Sequence, residues 1–183
     1  MDVDFSKLIA KTIEAGAFKA AVIPVSKIET DSYFRELCKA NYCGNYGRNW
    51  MCPPFVGEID ELIKKLGDFE WALVYQTVGE LEDSYDFEGM MASLERHNQL
   101  VLKTREIISQ LTDDSSVLHL GAGGCKMCEV CAKRNDEPCR HPESAVTSLE
   151  AYGINVSRLS EAAGMKYING QDTVTYFGAV LFR

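Results

Sequence analysis

The chain has 183 residues, 46% of them hydrophobic and 25% charged, with a formal charge of -8, the makeup of a globular chain that buries a core without covalent staples. That acidity argues against a general phosphate-binding surface, because nucleic-acid affinity depends on Lys and Arg neutralising phosphates. No apolar run reaches the length of a membrane span, and the opening "MDVDFSKLIAKTIEAG" is acidic and amphipathic rather than a basic, apolar leader, so a cytoplasmic chain with no membrane or nucleic-acid partner is expected.

In chain order, a helix is expected over residues 4–15, where Phe5, Leu8, Ile9 and Ile13 fall near helical spacing and Gly16 ends the run. "FKAAVIPVSKI" reads as a strand in which Pro24 suits an edge or an end better than the centre. Residues 57–66 fit a short helix with early acids and late lysines that complement its dipole, and "FEWALVYQTV" (69–78) follows as a buried strand. From Asp86 to Leu111, Phe87, Met90, Leu94, Val101 and Ile108 mark one face of a long amphipathic helix. "SVLHL" (116–120) is a third strand leading into a glycine-cysteine loop. "HPESAVTSLEAYG" then reads as a helix, with Pro142 in its first turn and Gly153 as its stop. A short helix near 156–163 stops at Gly164, and "TVTYFGAVLF" (173–182) is a closing strand.

Alternating strands and helices define an α/β class, with α+β the alternative. No repeat, low-complexity run or linker divides the chain. One domain over residues 1–183 is expected, a mixed sheet flanked by helices with two cysteine-rich loops at element ends.

Seven cysteines form an odd set in an unexported chain, which favours metal binding or thiol chemistry over disulfides. Cys125, Cys128 and Cys131 form C-x2-C-x2-C, and Cys139 follows after seven residues, close to the bacterial [4Fe-4S] run although the fourth spacing departs from it. On one continuous helix these thiols would spread over roughly 9 Å at about 1.5 Å per residue, so a loop must wrap them. Gly121, Gly123 and Gly124 supply the freedom for it. A dinucleotide turn would need glycine at 126, where Lys126 stands. Zinc is the competing metal, although its sites usually present two separated C-x2-C pairs. Buried small hydrophobes do not explain four thiols in a Gly-, Lys- and Arg-rich segment.

Cys38, Cys43 and Cys52 lie among Gly, Asn, Arg and aromatic residues in "CKANYCGNYGRNWMCPP". Three thiolates without a local fourth imply either a second cluster with one open iron or a ligand lent by the distant loop. Cys52 precedes Pro53, as in the Cys-Pro that completes a ferredoxin site. Cys52 would then join Cys125, Cys128 and Cys131, leaving Cys139 with Cys38 and Cys43. Loop-closure entropy separates the two partitions by only about 2 kcal/mol, far below metal-binding free energies.

"CGNYGRNWMCPP", "GAGGCKMCEVCA", "CRHPE" and "SLEAYGINV" occur in the order shown by the predicted metal-binding proteins grouped as domain of unknown function 2284, which the chain resembles over nearly its whole length. The resemblance implies metal ligation by Cys43, Cys52, Cys125, Cys128, Cys131 and Cys139, with Cys38 alongside, in a family common in anaerobes. It implies no settled reaction.

Arg48, Trp50, Lys126, Arg140 and His141 flank the cysteines, where cations can offset cluster charge and Trp50 can exclude water, although such positions are more often supporting or surface residues. His119 and His97 read as structural histidines. Glu143 and Glu150 fall seven apart on the expected helix, as dipole partners rather than a carboxylate pair. The acidic run 80–89 reads as a solvated loop and helix start rather than a docking patch. The combined expectation is an iron-sulfur protein of anaerobic metabolism, with one [4Fe-4S] cluster on Cys125, Cys128, Cys131 and Cys139 and a second on Cys38, Cys43 and Cys52. It would transfer electrons with a redox partner or activate a small molecule at an open iron; the alternative is a zinc protein with structural or regulatory thiols.

Overall fold

In the computed structural model, which describes residues 4–111 and 116–183, hydrophobic strands are stacked so that both sheet faces are covered. The helices are α1 (Phe5–Glu14), α2 (Phe34–Ala40), α3 (Ile59–Leu66), α4 (Phe87–Ser109) and α5 (Val156–Ala162). The strands are β1 (Lys19–Pro24), β2 (Trp71–Glu80), β3 (Val117–Gly121), β4 (Thr147–Ser148) and β5 (Thr173–Phe182). They form one mixed sheet of order β1-β2-β5-β3-β4, antiparallel except for the β3/β4 pair. The class is α/β.

Alternation along β2 decides which helix packs where. Leu73 and Tyr75 face α1 and α4 and meet Leu8, Leu100, Ile108 and Val180. Ala72 and Val74 face the other way, onto Leu62 of α3, Leu159 of α5 and Ile154. Every residue from Ala72 to Gln76 is therefore buried, which explains the unbroken apolar run. β1 is an edge strand and Pro24 its last residue, the placement a missing N–H requires. Tyr75 lies flat against Gly178, and an added Cβ there would overlap its ring.

The helix ends follow local chemistry. Asp4 caps α1 by accepting from Lys7 N (3.0 Å), and Asp86 caps α4 by accepting from Gly89 N (2.8 Å). Asp86 also accepts from Glu82 N (3.1 Å). Within the acidic run, Glu80 ends β2 and residues 82–85 are exposed turns.

Two expectations are corrected. Residues 141–153 do not form a helix: after a turn at 142–144, Thr147–Ser148 pair with β3, and only Glu150–Tyr152 coil, as a 3-10 turn. The β-branched Thr147 gains a strand partner in Leu120, Leu149 N donates to Gly121 O (3.0 Å), and Gly153 at φ +73° still ends the coil. Glu143 and Glu150 therefore do not share a helical face. On α4, Phe87 is 69% exposed, and the buried side is Ser93, His97, Leu100, Val101, Thr104 and Ile108, because the first turn overhangs the sheet.

His97 is fully buried, stacked beside Tyr75 and Tyr176, with Nδ1 2.9 Å from Thr77 Oγ1. Burial pushes this imidazole down to about 4, against an opposing contact with the Phe177 backbone. The unfolded chain, titrating near 6.5, binds that proton more readily. Stability from the neutral ring is thus complete above about pH 6.5 and is lost as pH falls toward about 4, up to about 3 kcal/mol. Urea unfolding of the metal-free chain from about pH 7 to about pH 4.5 should show this decline, and His97→Gln should flatten it.

Candidate metal centre

The first cysteine loop begins on a helix the sequence reading left unassigned. Phe34, Leu37 and Cys38 recur at helical spacing, and Asn41 ends α2 in the left-handed region at φ 58°, a signal that was available. The Asn41 side chain then accepts from Tyr46 N (3.0 Å), bending the chain around the exposed Cys43. Cys52 N donates to Asn49 O (3.1 Å) and Val56 N to Cys52 O (3.2 Å), which fixes Cys52 in a buried turn.

The second loop leaves β3 at Gly121. Gly123 takes φ +70°, and a Cβ on Gly124 would lie 3.0 Å from the Asn45 side chain, so both glycines permit the close approach of the two loops. Cys131 immediately precedes a 3-10 helix, Ala132–Asn135, and Cys139 follows it on the returning strand of the loop. The four thiols wrap rather than line one helix face, as expected.

Hydrogen bonds between residues far apart in sequence splice the loops. Asn49, 4% exposed, donates from Nδ2 to Cys125 O (3.2 Å) while its Oδ1 accepts from Met51 N (3.0 Å). Trp50 Nε1 donates to Glu137 O (2.9 Å), and the Thr147 hydroxyl donates to Met51 O (2.9 Å). Lys133 sits above the rings of Trp50 and Phe55, 4.9 and 4.3 Å from their centres, and ion-pairs with Asp136. Asn49 was not among the residues singled out from sequence, because a lone Asn in a polar loop carries no pattern.

The splice sorts the cysteines. Cys125, Cys128, Cys131 and Cys139 line one pocket with Asn49 and Arg140, and its free space is ≈ 10 Å³, about one water-sized body. Cys38, Cys43 and Cys52 line a neighbouring cavity of ≈ 340 Å³ with Gly123, Gly124 and Glu150. Cys52 therefore lies with Cys38 and Cys43, and Cys139 with the C-x2-C-x2-C run. Among the described residues no group of three or more His, Cys, Asp and Glu side chains is placed to hold a single metal ion.

The electrostatics couple the two pockets. Burial pushes the Cys52 thiol up to about 12, reinforced by Cys43, Cys38, Cys125 and Cys131. Burial likewise raises Cys38, with Arg35 opposing it and Cys43 and Glu150 adding to it. Cys125 is raised by burial against the N–H groups of Met127 and Val146. Arg140 meets the Cys128 thiol and donates to Val130 O (3.1 Å). Burial also raises the Glu150 carboxyl, opposed by its own N–H and the Ser148 hydroxyl. Thiols whose deprotonation burial opposes in this way lose their protons in exchange for a bound cation rather than to water alone, and sulfur donors suit iron-sulfur clusters and zinc alike.

Among the other candidates, His141 lines the four-cysteine pocket, whereas Lys126 lines a separate cleft of ≈ 50 Å³ between α4 and the glycine loop. Arg48 is exposed. His119 is buried within β3 and His97 on the sheet-facing side of α4, and neither lines a thiol pocket.

Fold and donors together define a cysteine-rich α/β protein with two adjoining thiol pockets at one end of its sheet. The chain belongs to the family described as predicted metal-binding protein (DUF2284), whose profile matches residues 21–182. Neither the curated proteins nor the solved structures searched contain a match.

Replacing Asn49 by Ala should strand the Met51 N–H and the Cys125 carbonyl, lowering the stability of the metal-free chain by about 1–3 kcal/mol. Chemical denaturation checks this, and Asn49→Asp, which keeps the acceptor for Met51, should recover part of the loss.

Proposed function

We propose that this metal-binding chain is a cytoplasmic iron-sulfur protein of anaerobic metabolism. One [4Fe-4S] cluster is held by Cys125, Cys128, Cys131 and Cys139, and a second by Cys38, Cys43 and Cys52. The observation that carries the reading is the sorting of all seven cysteines into two adjoining pockets of four and three thiols, with none spent elsewhere in the fold. A bound cluster would supply one-electron redox chemistry and, where a thiolate is lacking, an iron able to take a ligand.

The residues of the chain have separable tasks. The cysteines bind; Arg140 beside Cys128 and Arg35 beside Cys38 offset thiolate charge. Trp50 and Phe55, packed edge to face at 5.1 Å, shield the four-cysteine side from water. Gly123 and Gly124 line the three-cysteine cavity and Cys125, next in sequence, lines the four-cysteine pocket, so the two sites are neighbours. Electron transfer with a redox partner uses both sites, and activation of a small molecule uses the roomier one.

Zinc is the second reading, because the ≈ 10 Å³ of space among Cys125, Cys128, Cys131 and Cys139 is small for a cubane, although these side chains would have to draw together to surround one ion. Anaerobic purification followed by iron, sulfide and zinc quantitation decides. About eight irons with matching sulfide per chain are expected for two cubanes. A colourless protein with one or two zinc ions and no sulfide would overturn the iron-sulfur reading.

A further inference from the structure

The three-cysteine cavity is one donor short of its neighbour, and a carboxylate faces the deficit. Glu150 opens the 3-10 turn after β4 and is the one acidic residue among the described residues lining that cavity. Two contacts fix the turn that carries it. The Ser148 oxygen accepts from Ala151 N (3.2 Å), and the preceding Thr147 is tied to Met51, beside Cys52.

No Lys or Arg pairs with this carboxylate among the described residues. The nearest candidate by sequence and packing, Arg35, gives Nη1 to Gly57 O (2.8 Å) and acts on Cys38. An enclosed carboxylate without a counter-charge is costly, and buried charges are normally paired or coordinate metals. The other polar groups in the cavity, the phenols of Tyr42 and Tyr46 and the Ser148 hydroxyl, are neutral near pH 7 and are weaker donors to a cation.

We propose that Glu150 completes the three-cysteine site, giving it a mixed donor set of Cys38, Cys43, Cys52 and one carboxylate oxygen. This rests on metal binding at that site; the four side chains are not set around a single ion, so a cluster, which spaces its ligands more widely, is the group they fit. A carboxylate is a harder donor than thiolate and binds soft metal centres less tightly. The position it fills is therefore the one a small ligand displaces, which distinguishes this site from its all-thiolate neighbour and directs small-molecule chemistry to it.

The test uses the full chain loaded anaerobically, as wild type, Glu150→Gln, Glu150→Cys and, as a control, Cys139→Ser. X-ray absorption at the metal edge, electron paramagnetic resonance of the reduced protein and metal retention against a chelator are compared. Glu150→Gln should replace the charged carboxylate by a weaker, neutral amide oxygen, shift the spectrum of one centre only and weaken retention there about tenfold or more. Glu150→Cys should restore retention with an all-sulfur donor set. The metal-free Glu150→Gln chain should be no less stable than metal-free wild type, because an unpaired buried charge has been removed; a purely structural role predicts the opposite sign. Wild-type and Glu150→Gln proteins with the same spectra and retention would overturn the assignment while leaving iron-sulfur binding intact. A zinc-loaded wild type would overturn only the iron-sulfur reading, with the sulfur-to-oxygen count at the zinc edge still deciding for or against Glu150.

Discussion

The Asn49 side chain is the constraint on which the site depends. Its amide grips the Cys125 carbonyl and the Met51 N–H at once, in a position closed to water. A buried amide must satisfy both ends, so the loop before Cys52 and the loop after Gly121 are held in one relative placement. With Trp50 bonded to Glu137 and Met51 to Thr147, the stretch 49–51 becomes a wall of the four-thiol pocket. Cys52, next in sequence, lines the three-thiol cavity instead.

That wall stands where it does because of the sheet. Covering both faces of β2 and β5 uses α1 and α4 on one side and α3 and α5 on the other, which leaves the strand ends as the place for irregular chain. β3 ends at Gly121, and β4, parallel to it, returns the chain through Ser148 to Glu150. Parallel pairing of the two strands brings the glycine loop and the carboxylate to the same end of the sheet, although they are nearly thirty residues apart in sequence.

Charge is distributed unevenly for a chain of net -8. Apart from Glu150 in the three-cysteine cavity, most acids sit on exposed turns and helix starts, while Arg35 and Arg140 act directly on cysteines and Lys133 covers the aromatic pair. A local excess of cations beside thiolates lowers the cost of keeping them deprotonated for a metal. The overall acidity is a property of the surface and says little about the field inside the two pockets.

The sequence by itself determined the periodic elements and the identity of the donors. The apolar runs of β2 and β5, the helical spacing of Val101 and Ile108 in α4 and the C-x2-C-x2-C run are local patterns, each set by residues within a few positions of one another. Only the tertiary structure decided the fate of residues 141–153, where capping signals for a helix were outweighed by a strand partner at Gly121. It also decided the company of Cys52, since loop-closure entropy grows too slowly with length to rank one partner loop above another. The grouping instead followed from Asn49 and Thr147, single residues whose hydrogen bonds span 76 and 96 positions. Contacts at that range leave no periodicity in the sequence, and so the donors were legible there while their partition was not.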